Sequence, residues 1–163
     1  KKSLLDEIRH LTTEGVGDVL GWLTERVRTT EITDALLERL AHDLTRYFEE
    51  ESVRLEILTR FRETVIDAVN FRTVIVVGHS MGSVIAYDAL VSNPNVKVDA
   101  LISIGSPLGT RYVMGKLLSV TNSTELKKPS STSKWFNVAD RCDIVAIDTH
   151  LNDDYGGDIH DIL

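Results

Sequence analysis

Cys142 is the only cysteine in 163 residues, so no disulfide can form within the chain and nothing ties it to an oxidising compartment. No apolar stretch approaches the ~18 residues that a membrane-spanning helix needs, and no signal-peptide pattern stands at Lys1 onward. Basic residues are in deficit. Lys and Arg number 18 against 25 Asp and Glu, for a net charge of −7, which argues against a nucleic-acid partner. There are no internal repeats and no low-complexity tract. These absences leave a protein without a membrane span, expected in the cytoplasm.

Acid is concentrated at the end, where seven Asp and one Arg follow from Asp140 onward. Asp153, Asp154 and Asp158 surround Gly156-Gly157, but their spacing is not that of an EF-hand loop. The tail reads as a solvated surface, and neither a metal nor a cofactor is expected.

The length suits one domain with one core, and an apolar content of 42% suits a globular chain. Residues 1–72 read as helices. Ser3–Leu11 has Ser3 as its cap, and Asp18–Val27 carries Trp22. In Thr30–Phe48, Ile32, Leu36, Leu37, Leu40 and Leu44 form an apolar stripe, and Ser52–Val69 repeats the pattern with Leu55, Leu58, Phe61, Val65 and Val69. Glu49-Glu50-Glu51 reads as a solvated turn, and Asn70 can close the last helix in a left-handed conformation. This front region is either a cap over a site or a layer packed on a sheet.

The character changes at residue 73. Val74–Val77 is a continuous β-branched run, as expected of a strand buried on both faces. It leads into Gly78-His79-Ser80-Met81-Gly82, and Ser83–Leu90 then has helical spacing. A strand, a Gly-x-Ser-x-Gly turn and a helix together present a serine at a sharp apex. Small flanking residues let strand and helix pass closely, which assigns that purpose to Gly78 and Gly82. The helix directs its first N–H groups at the apex, so the N–H of Met81 is the candidate oxyanion donor. A phosphate-binding loop is the competing use of such a turn. The sequence lacks both the Gly-Lys-Ser/Thr ending of the P-loop and the Gly-x-Gly start of a dinucleotide site.

Asn93-Pro94-Asn95 is a turn, Val98–Ile104 the next strand, and Tyr112–Leu118 a short helix. A right-handed crossover is therefore expected. Residues 119–133, rich in Ser, Thr and Lys, read as a loop, either on the surface or near the carboxyl ends of the strands.

The Gly78–Gly82 turn with Ser83-Val84-Ile85-Ala86-Tyr87-Asp88-Ala89-Leu90 resembles the nucleophile elbow of α/β-hydrolase-fold serine hydrolases of the lipase and esterase kind. Leu101-Ile102-Ser103-Ile104-Gly105-Ser106-Pro107-Leu108 is similar to the following strand and its loop, and Trp135–Val138 with Asp140–Val145 to the strand and turn that bear the acid. The resemblance covers residues 53–148. It implies an α/β fold with a parallel sheet and flanking helices, present as part of the full fold. One domain, 1–163, then comprises a helical front or cap region, 1–72, and a nucleophile- and acid-bearing sheet half, 73–163. It also implies hydrolysis of small-molecule or lipid carboxylic esters through an acyl-enzyme on Ser80. The same nucleophile serves acyltransferases and thioesterases, and a non-catalytic binding or regulatory module is the alternative.

A serine hydroxyl needs a histidine to take its proton and an acid to orient that histidine, and in this fold they follow in the order Ser, acid, His. Asp143, before Ile144-Val145, matches the family's acid, with Asp140 as the alternative. His160, flanked by Ile159 and Ile162, is the candidate base; His150 and a histidine beyond Leu163 remain open. His10, His42 and His79 come too early in the chain. His42 reads as a surface residue, and His79 as packing beside the elbow. The front half offers neither the strands that precede the nucleophile strand nor a His-Gly pair for a second oxyanion donor. The chain is therefore expected to be the middle of a larger hydrolase.

Overall fold

The computed structural model describes residues 34–68, 71–139, 150–156 and 158–162, all within one compact unit, Thr33–Leu163. The helices expected at Ser3–Leu11 and Asp18–Val27, and Asn70 as a cap, lie outside the described residues. The fold is α/β. Four strands, β1 (Ile75–His79), β2 (Val98–Ile104), β3 (Thr132–Val138) and β4 (Ile159–Ile162), form a parallel sheet in the order β1-β2-β3-β4. Their register brings Val77, Ile102, Phe136 and His160 into one row, and Gly78, Ser103, Asn137 and Asp161 into the next.

The strands advance across the sheet in chain order, so right-handed crossovers place the connecting helices on one face. These are α3 (Met81–Ser92) between β1 and β2, a 3₁₀ turn (Pro107–Gly109) with α4 (Arg111–Val120) between β2 and β3, and α5 (Leu151–Asp154) before β4. Helix α3 is buried at Val84, Ala86, Tyr87, Ala89 and Leu90, and its mainly apolar residues suit a helix enclosed on most sides. Against it lie the rings of Trp135 and Tyr155. Tyr87, Trp135 and Tyr155 have centroids 5.0 to 5.5 Å apart, two of the three pairs edge-on, and none is more than 2% exposed.

Two further helices, α1 (Asp34–Glu49) and α2 (Glu51–Ala68), precede the sheet, and only Glu50 separates them. Leu44, Tyr47 and Phe48 of α1 and Val65 of α2 join the same core. An ionic clamp fastens them to α3. Asp88, fully buried, accepts two hydrogen bonds from the Arg54 guanidinium, both 2.7 Å, and a third from the Tyr47 hydroxyl at 2.7 Å. The bidentate bond to Asp88 holds the Arg54 pKa above its ordinary value. Burial, and then the neighbouring Asp88 charge, pushes the Tyr47 hydroxyl far up. The three donors offset the cost of taking this carboxylate out of water, whereas removing one partner would strand the others. The front helices thus pack on the elbow helix.

Candidate active site

Strand β1 ends at His79, and the chain turns into α3 at Met81, two residues on. Ser80, at the apex, has φ 50° and ψ −126°, a region that side chains other than glycine rarely occupy. Two backbone bonds hold it there. The Ser80 N–H donates to the Ile104 carbonyl at 2.9 Å, and the Ser80 carbonyl accepts from the Ser83 N–H at 3.0 Å. A serine that flanks the start of a helix, as Ser80 does, ordinarily spends its hydroxyl on capping. Here the side chain makes no capping bond, the residue is half-buried, and its hydroxyl has no hydrogen-bond partner among the described residues.

The close approach falls on one glycine of the pair. A Cβ on Gly78 would stand 2.5 Å from Ser83 Cα and 2.8 Å from the Gly82 carbonyl oxygen. A Cβ on Gly82 would meet nothing within 4 Å, so the reading that Gly82 is required for passage is corrected. The reason is geometric: Gly78 lies under the helix, whereas Gly82 is on its first turn and faces open space. His79 is exposed rather than packed beside the elbow.

The hydroxyls of Ser83 and Ser106 make a second layer that sequence reading missed. Ser83 Oγ donates to the Ser80 carbonyl at 2.5 Å and lies 2.6 Å from Ser106 Oγ, which accepts from the Leu108 N–H at 3.2 Å. Both serines are buried, at 0% and 3% exposure. Small hydroxyl residues flanking the elbow and opening the turn after β2 were the available signal.

A third group lies toward β4. Ser103 Oγ donates to Asn137 Oδ1 at 2.9 Å and accepts from Trp135 Nε1 at 3.0 Å. Asn137 Nδ2 donates to Asp161 Oδ1 at 2.9 Å. The Asp161 carboxylate also receives the N–H groups of Leu151 at 3.0 Å and Asn152 at 3.1 Å, and so caps α5. This row fixes where the chain re-enters after residues 140–149. Asp143, its alternative Asp140, and Cys142 lie outside the described residues.

The structure does not bring His160 to Ser80. His160 is in mid-strand on β4, its exposed ring stacked on Phe136 with centroids 5.1 Å apart. Three strand spacings separate it from the β1 row, about 14 Å across the sheet, which exceeds the reach of an imidazole. The expectation of a strand around His160 is met by β4, and that strand is what holds the ring away from the elbow. His150 is exposed at the start of α5, and His42 is on the surface.

Residues 121–131 lead into the amino end of β3, the end of the sheet opposite Ser80, so they do not shape entry to the elbow. They are fixed by bonds from the Tyr87 hydroxyl to the Lys127 carbonyl at 3.0 Å and from the Lys128 N–H to the Tyr155 carbonyl at 3.1 Å. An open cleft of about 450 Å³ lies along them beside Tyr87 and Val91.

Among the described residues, no group of three or more His, Cys, Asp or Glu could hold a metal ion, and no helix is long and apolar enough to cross a membrane. No protein-family model, curated protein or solved structure matches the chain.

Proposed function

We propose that the chain carries the nucleophile half of an α/β-hydrolase-fold serine hydrolase that cleaves carboxylic esters, lipid esters included. One observation carries this reading: Ser80 sits at φ 50° on a strand-to-helix apex, its hydroxyl making no capping bond and meeting no partner among the described residues. Backbone strain of this kind costs about 1–3 kcal/mol, persists only where the surrounding structure over-determines it, and clusters at active sites. An inert turn would accept glycine there, or would use the serine hydroxyl as a cap.

In this reading Ser80 Oγ attacks the acyl carbonyl as a histidine at the carboxyl ends of the strands takes its proton. The tetrahedral oxyanion is met by the N–H of Met81, the first residue of α3. That N–H has no partner within its own helix, and none among the described residues. The histidine returns the proton to the leaving alcohol, and water releases the acyl group by the same steps. Asp143 is the proposed acid. It follows β3, the strand whose polar row through Asn137 fixes the neighbouring α5.

The test is turnover of a p-nitrophenyl ester by the full-length protein. Ser80→Ala should abolish it with the fold retained, and Asp143→Asn should lower kcat by several orders of magnitude through a misoriented histidine. Full turnover in Ser80→Ala would refute the nucleophile, and a larger loss in Asp140→Asn would move the acid.

A further inference from the structure

The hydroxyls of Ser83 and Ser106 have one proton each, and this fixes the direction of the bonds between them. The Ser80 carbonyl can only accept, so the Ser83 proton goes to it. Ser83 then has only lone pairs to offer Ser106, so Ser106 donates to Ser83. The lone pairs left on Ser106 accept the Leu108 N–H. The result is a one-way relay from the 3₁₀ turn after β2 to the carbonyl of the apex residue: Leu108 N–H to Ser106, Ser106 to Ser83, Ser83 to Ser80.

The Ser80 carbonyl and the Met81 N–H belong to one trans peptide plane and point in opposite directions. Whatever holds that carbonyl inward therefore aims the Met81 N–H outward. We infer that Ser83 and Ser106 are positioning residues that orient the Met81 N–H as an oxyanion donor. The inference rests on the nucleophile reading for its catalytic meaning, but the relay itself is a statement about one peptide plane. Ser83 is the direct holder, its hydroxyl adding a second bond to the carbonyl that its backbone N–H already reaches, while Ser106 acts through it by keeping the Ser83 proton directed at Ser80. The two act in series, so their effects should not add.

Full-length Ser83→Ala, Ser106→Ala and the double variant are compared with wild type by the rate of fluorophosphonate labelling at Ser80 and by p-nitrophenyl ester kinetics. Loss of one neutral hydrogen bond that orients a transition-state donor predicts a drop of about tenfold in kcat for Ser83→Ala, with KM unchanged. Ser106→Ala should lose about threefold by the same reasoning, and the double variant no more than Ser83→Ala. Ser106→Thr, which keeps the hydroxyl on an extended backbone, should restore the rate. Wild-type rates in both single variants, or additive losses in the double, would overturn the inference. If wild type itself does not label, the nucleophile reading fails separately, and the crystal structure of Ser83→Ala decides the relay. A Ser80 ψ that leaves −126° supports it, and an unchanged ψ overturns it.

Discussion

Gly78 and Ser83 are so close that a single added carbon on the glycine would stand 2.5 Å from the Ser83 Cα. Strand and helix meet there with no room for a side chain, and the obstacle is backbone, which cannot swing aside. Gly78→Ala should therefore destabilise the fold by about 2–3 kcal/mol and disturb the elbow. Gly82→Ala faces open space and replaces a helical glycine, so it should be neutral or stabilise by about 0.5 kcal/mol. Urea unfolding of the two variants checks this. Equal losses would contradict the one-sided contact.

The strain at Ser80 predicts an asymmetry between two inactive variants. Glycine tolerates φ 50° and ψ −126°, and alanine does not. Ser80→Gly should be about 1 kcal/mol more stable than Ser80→Ala, the relief of strain exceeding the entropy that glycine adds to the unfolded chain. Thermal unfolding of the pair measures the difference. A less stable glycine variant would mean that the apex is unstrained.

Asp88 joins α1, α2 and α3, receiving Arg54 and Tyr47 in a site from which it is wholly excluded from water. Asp88→Ala would leave a guanidinium with 12% side-chain exposure without its partner and should cost about 3–5 kcal/mol. Chemical denaturation checks the magnitude. A loss below about 1 kcal/mol would mean that the pair behaves as a surface salt bridge.

Alkaline pH should unfold the protein through its buried tyrosines. Burial pushes Tyr87 from its ordinary value of 10.0 up to about 12, and Tyr47 and Tyr155 move in the same direction for the same leading reason. The folded pKa exceeds the unfolded one, so the associated stability is complete below pH 10 and is lost as pH rises from 10 toward 12. The melting temperature should fall over that window, and less steeply in Tyr87→Phe. A flat profile would contradict the burial of these hydroxyls.

Much of the architecture was legible because local patterns and tertiary demands agree. The β-branched run at Val74–Val77, the small-residue helix after Ser80 and the short strand flanked by Ile159 and Ile162 all form close to where the spacing puts them. Val98–Ile104 forms within the expected bounds. What escaped was non-local. Arg54 and Asp88 are 34 residues apart and look like surface charges until α2 is laid on α3. Ser83 and Ser106 are 23 apart, and only the parallel pairing of β1 with β2 makes their hydroxyls neighbours. His160 shows the opposite failure. Its place in chain order fits a base, but its place in a strand removes it, because strand registry rather than sequence distance decides which side chains reach the elbow.

The most direct measurement is fluorophosphonate labelling of the folded, full-length protein, with the modified residue mapped by mass spectrometry. An activated nucleophile at the strained apex predicts one stable adduct, on Ser80, absent in Ser80→Ala. A folded protein that forms no adduct, or forms it on another residue, would contradict Ser80 as the nucleophile and leave the elbow as a binding or structural turn.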